Sequence, residues 1–176
     1  MKTTASYILI LILGLATGIF ITQNETVWNA INKQFTATFT PFDDTRKTDW
    51  DTEFKVIELK SSLDNSLQKV YFYKSKSVAP KPLVVSLHTW SGNYKQKDEL
   101  AALSKNKDLN YIHPNFRGVN WTKDACCSDL ALGDIDDAID YAIKNSNVDL
   151  SRIYVIGVSG GGYATLATFM KSRHLI

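Results

Sequence analysis

"RIYVIGVSGGGYATL", residues 152–166, decides the fold. Residues 152–157 form a short apolar, β-branched run that reads as a strand covered on both faces, and the small residues from Gly160 onward read as a helix. Between them, Gly157-Val158-Ser159-Gly160-Gly161 fits G-x-S-x-G, a pattern that is informative when a strand precedes it and a helix follows. A serine on so tight a turn sits in a strained backbone conformation, so positions 157 and 161 must lack side chains that would collide. Its hydroxyl is then pushed out at the carboxyl edge of the sheet, where the Gly160 amide and the positive end of the helix can stabilise a negative oxygen. Ser159 therefore reads as a nucleophile rather than as an incidental serine in a glycine-rich turn.

Working outward, "EFKVIEL" (53–59) and "LQKVYFYK" (67–74) alternate, with Asp64-Asn65-Ser66 between them as turn chemistry, which predicts an antiparallel hairpin. "LVVSL" (83–87) is a buried strand, "YKQKDELAALSKNKD" (94–108) a helix with Leu100, Ala101 and Leu103 at helical spacing, and "LNYIHPNF" (109–116) a strand ending at Pro114. "SDLALGDIDDAIDYAIKN" (128–145) is the clearest helix, capped by Ser128 and striped by Leu132, Ile135, Ala138, Ile139 and Ala142. Its Asp134, Asp136, Asp137 and Asp140 read as the solvated face, not as metal ligands. The alternation predicts an α/β fold: a mainly parallel sheet with an antiparallel N-terminal hairpin and helices on both faces.

The 176 residues carry 44% hydrophobic and 22% charged side chains and a formal charge of +2. That balance suits one globular domain and does not provide the basic stripe nucleic acid needs. Residues 1–22 are set apart: Lys2 precedes an uncharged apolar segment, with Tyr7–Leu15 as an export-signal core and Ala16 and Gly18 as a small-x-small cleavage pair. The expectation is a signal peptide or an N-terminal membrane anchor. It implies a protein that is secreted, periplasmic or held on a membrane facing away from the cytoplasm. Residues 23–52 read as an irregular lead-in and 53–176 as the folded α/β unit.

An elbow serine needs a second oxyanion donor from the loop after an earlier strand, and "VVSLHTWSGNY" (84–94) stands there. The main-chain amide of Thr89 or Trp90 is the candidate, with Gly92 letting the chain fold inward. His88 and His113 precede the serine, whereas the chain order of this geometry is serine, acid, histidine, so both read as structural. Trp90 and Trp121 flank the expected mouth and are candidates to hold a sugar or acyl group.

Together, "HTWSG", "NFRG" (115–118) and "DLSRIYVIGVSGGGYATL" (149–166) resemble the catalytic domain of the α/β-hydrolase superfamily. The resemblance is specifically to its prolyl oligopeptidase-like branch and related secreted esterases, and it implies that 53–176 is a partial α/β-hydrolase domain. It implies cofactor-free acyl transfer on a small ester or peptide substrate, with Asn115, Arg117 and Gly118 bordering the site. His88-Thr89-Trp90 stands where His-Gly-Gly is more usual, and too few residues precede the unit for a β-propeller, which favours an esterase over a peptidase.

A serine needs a histidine and an orienting carboxylate. Downstream of Ser159 there is only His174, roughly 20 Å away if the intervening chain is helical, and no Asp or Glu follows. The expectation is that the C-terminal half of the fold is missing, leaving a fragment that is inactive and marginally stable or poorly soluble. The alternative is a non-catalytic, membrane-tethered binding module that kept the scaffold. Cys126 and Cys127, adjacent, are expected either as a vicinal disulfide stiffening the rim or as two buried thiols.

Overall fold

The computed structural model describes residues 49–172 and His174, so the export segment at 1–22 and nearly all of the lead-in lie outside the described residues. The chain builds β1 (Lys55–Lys60), β2 (Leu67–Tyr73), β3 (Lys81–Leu87), α1 (Glu99–Asn106), β4 (Asn110–Pro114), α2 (Asp129–Asn145), β5 (Val148–Gly157) and α3 (Gly160–Lys171). The sheet order is β1-β2-β4-β3-β5. β1 pairs antiparallel with β2, and β2 antiparallel with β4, while β3 runs parallel to both β4 and β5. The sheet is thus mixed, with the expected hairpin forming one edge.

Alternation along β3 distributes the core. Leu83, Val85 and Leu87 face a cluster made with Val70, Phe72, Ile112 and the apolar stripe of α2, which Ala164 of α3 joins. Val84 turns the other way, toward Phe54, Tyr73, Tyr111 and Ala101 of α1. Helices cover both faces because a strand buried on both sides must meet one on each.

Boundaries differ from the sequence reading where side chains compete for backbone groups. The first helix begins at Glu99, not at 94, because the Asp98 side chain accepts from the Ala101 amide and caps it. β5 begins at Val148 rather than 152, paired with Lys81 across a register shift. The aspartates of α2 are not simply a wet stripe: Asp134 and Asp136 are buried, Asp136 accepts from Ser172 Oγ at 2.6 Å, and Asp137 accepts from the Ser62 amide at 2.7 Å. No group of three or more potential metal ligands occurs among the described residues.

β5 has β3 on one side and no strand on the other among the described residues. Tyr154 and Ile156 on it, and Leu166, Phe169 and Met170 on α3, are exposed. This is an apolar face at the sheet edge that carries the elbow.

Candidate active site

β5 ends at Gly157, and Ser159 stands between it and α3 with φ 55° and ψ −120°, in left-handed territory that a side chain occupies only under strain. The flanking glycines explain why the chain can turn here. A Cβ on Gly157 would lie 2.3 Å from the Gly161 carbonyl carbon and oxygen, and one on Gly161 2.3 Å from Leu87 O. Ser159 is exposed and its side chain does not cap α3, so the hydroxyl is presented to solvent at the helix N-terminus. Gly160 is the first residue of α3, where an amide has no carbonyl one turn earlier to meet.

The 88–92 loop closes on this turn. A Cβ on Gly160 would lie 2.6 Å from both Trp90 N and Trp90 Cα, which measures how closely the loop passes the elbow. The structure separates the two candidate donors. The Thr89 amide is given to Gln96 Oε1 at 2.9 Å, whereas the Trp90 amide meets no acceptor among the described residues. Trp90 O accepts from Asn120 N at 2.9 Å, which seats the 115–121 loop beside it and brings the exposed rings of Trp90 and Trp121 onto adjacent loops.

Asn115 and Arg117, which the resemblance puts at the border of the site as substrate-binding residues, turn their side chains to their own loop. Asn115 Oδ1 accepts from the Tyr94 amide at 3.2 Å, and its Nδ2 donates to Gln68 Oε1 at 3.2 Å. Arg117 donates through Nε and Nη2 to Asp134 (2.7 and 3.1 Å), through Nη1 and Nη2 to Asp64 (2.6 and 3.0 Å), and to Ser61 Oγ at 3.0 Å. Both side chains are spent on holding their own loop, in which Phe116, Arg117 and Gly118 all have positive φ. Burial pushes the Asp134 carboxyl up, with Arg117 opposing, while the Arg117 guanidinium beside Asp64 holds that carboxyl well below its usual range.

His88 is buried beneath the loop, stacked on Phe116 with centroids 3.9 Å apart. Its Nδ1 and Nε2 face the carbonyls of Thr89 and Asn115, each at 2.9 Å, and burial pulls its titration down. A neutral ring donates through one nitrogen only, so His88 bonds one of these carbonyls while the other carbonyl closes off its second nitrogen. His174 lies beyond the end of α3, its Nε2 3.2 Å from Asp140 Oδ1. His88 and His174 thus both point their ring nitrogens at partners other than Ser159. Cys126 and Cys127 are both free thiols and only half-buried, so the structure has neither the vicinal disulfide nor the pair of buried thiols expected; partial burial pushes the Cys127 thiol up.

His113, fully enclosed on β4, is pulled down to about 4 by burial. The unfolded chain takes up this proton near pH 6.5. The folded state therefore loses stability as pH falls from about 6.5 to about 4, by roughly 3 kcal/mol at the lower end. Urea unfolding across that window checks this: His113→Asn makes the slope shallower by about one proton, and an unchanged slope contradicts it.

Residues that sequence reasoning missed are Gln96 and Asp98. Asp98 joins Ser86 Oγ and Tyr111 Oη under the loop. Polar residues in a charged stretch give no signal of such inward bonds.

Residues 97–175 match the prolyl oligopeptidase family. Among solved structures, the chain is similar to a thermostable esterase at 20% identity and TM-score 0.54, covering 70% of this chain and 39% of that one. It is similar to Pyrococcus horikoshii acylaminoacyl peptidase at 17% identity and TM-score 0.56, covering 70% and 22%. For S-formylglutathione hydrolase from Staphylococcus aureus the values are 17% and 0.51, covering 64% and 50%. No curated protein matches the chain in sequence. The chain thus spans half or less of each of these structures, and the likeness is one of fold.

Proposed function

We propose that this chain, whose residues 97–175 match the prolyl oligopeptidase family, supplies the nucleophile half of a serine hydrolase acting on ester or peptide bonds. The observation that carries the reading is Ser159 itself: an exposed hydroxyl on a positive-φ turn, between glycines whose space is taken by neighbouring backbone. In the reaction, Ser159 Oγ attacks the acyl carbon as its proton passes to a histidine. The carbonyl oxygen, now an anion, lies against the amides of Gly160 and Trp90. The tetrahedral species then collapses, expelling the alcohol or amine, and water repeats the sequence on the acyl-serine.

The histidine and acid belong, in this proposal, to residues outside the 176, packed along the apolar β5 and α3 face. The positions of His88, His113 and His174 support this, as does the small share of its solved neighbours that the chain spans. Trp90 and Trp121, both exposed, are proposed to flank the acyl group, with Asn115 and Arg117 shaping the loop behind them. Export through residues 1–22 is part of the same proposal and rests on their sequence alone. No helix among the described residues is long and apolar enough to cross a membrane.

A fluorophosphonate probe tests the reading in the longer, full-length protein: the adduct maps to the peptide carrying Ser159, and a substrate panel then separates ester from peptide. A folded full-length protein that the probe leaves unmodified would instead be the non-catalytic binding module.

A further inference from the structure

We infer that Gln96 is a positioning residue that fixes which main-chain amide serves Ser159, an inference that rests on the reading of Ser159 as a nucleophile. Gln96 lies between β3 and α1, outside every motif of the family resemblance. Its Oε1 accepts from both Thr89 N (2.9 Å) and Thr89 Oγ1 (3.0 Å), and its own amide donates to Asn93 O at 2.9 Å. The side chain therefore reaches back across a short turn and grips the second residue beyond the strand end at two points.

The turn is shaped around that grip. A Cβ on Gly92 would stand 2.0 Å from Gln96 Oε1 and 2.9 Å from His88 Cβ, so the inner side of the loop has space for the glutamine alone. With the Thr89 donor consumed, the adjoining Trp90 amide, close beside Gly160, is the one left for the elbow to use. The bond from Asn120 N to Trp90 O holds that residue from its other end. A peptide held in this way needs no reorientation when charge develops on the substrate oxygen, which is the condition under which such donors accelerate a reaction. Without the Gln96 acceptor, the Thr89 amide and hydroxyl lose their partner, so the 88–89 peptide, which leads into the one carrying the Trp90 amide, loses its anchor and the Thr89 N–H is released, although Thr89 O keeps its bond from Gly92 N. The ground-state carbonyl, which depends little on the donor, binds as before, while the transition state loses its aligned N–H.

The test measures kcat and KM for p-nitrophenyl acetate in the full-length protein. Gln96→Leu lowers kcat about tenfold or more while KM stays within about twofold. Gln96→Met, which keeps the length of the side chain without the oxygen, gives the same split and guards against a folding defect in the first variant. Gln96→Glu, which retains an acceptor oxygen at the same reach, returns kcat to within about threefold of wild type. An unchanged kcat in Gln96→Leu and Gln96→Met, a parallel change of kcat and KM, or a Gln96→Glu as slow as the other two overturns the assignment. These results differ from failure of the underlying reading, in which wild-type protein itself neither turns over the ester nor takes up a fluorophosphonate.

Discussion

In full-length protein, Ser159→Ala is expected to lower turnover on the order of 10⁶-fold, as loss of a serine nucleophile does elsewhere. The expectation follows from what the hydroxyl does and does not do. It caps no helix amide, so its removal takes no stabilising bond from the fold. Alanine at φ 55° suffers the same backbone strain as serine, and stability should stay within about 0.5 kcal/mol. Ser159→Gly makes the separation sharper: it relieves the strain and raises stability by about 1 kcal/mol while being equally inactive. A variant more stable and dead is the signature of a residue kept in an unfavourable conformation for its chemistry. Initial rates on an activated ester, set beside urea midpoints for the same samples, decide the matter. Residual activity within about tenfold of wild type in Ser159→Ala would remove the serine from the mechanism.

Arg117→Met is expected to cost about 3–5 kcal/mol, enough to unfold much of a domain of this size at 25 °C. The Asp134 side chain is fully inaccessible, and Arg117, whose side chain is 11% exposed, meets it through two hydrogen bonds. Removing the guanidinium leaves a carboxylate in the core with its charge uncompensated. The pH dependence has a definite sign. Burial already pushes Asp134 up, and without Arg117 it rises further, so the folded variant holds a proton that the unfolded chain has lost. Stability of the variant therefore falls as pH rises through and above the usual carboxylate range, and the difference from wild type is largest near neutrality. Arg117→Met combined with Asp134→Leu should regain most of the loss, because replacing both partners leaves no buried charge. Urea denaturation of the single and double variants at pH 5 and pH 7 provides the check; a double variant as unstable as the single contradicts this account.

Some of this architecture is legible from residue order and some is not. β3, α2 and the elbow declare themselves locally, because a run of valines, a stripe at helical spacing and a serine among glycines each constrain only their neighbours. The order β1-β2-β4-β3-β5 depends on pairings between strands distant in the chain, which no local pattern encodes. Arg117 is the instructive residue. In a loop sequence it reads as a cation offered to a ligand, yet its partners Asp64 and Asp134 stand 53 and 17 positions away and absorb its donors. The same long range hides the roles of Asp134 and Asp136, which a helical wheel assigns to solvent. For Thr89 and Trp90 the sequence narrows the donor to two adjacent amides, and only the position of Gln96 Oε1 distinguishes them.

The two margins of the sheet are chemically unlike. β1 exposes Lys55, Glu58 and Lys60, charges that discourage an incoming strand, while β5 exposes Tyr154 and Ile156 along a side that no strand pairs among the described residues. Among the described residues, growth of the sheet is therefore one-sided: the margin able to receive a further strand is the one beside Ser159, where the proposed histidine- and acid-bearing residues would pack.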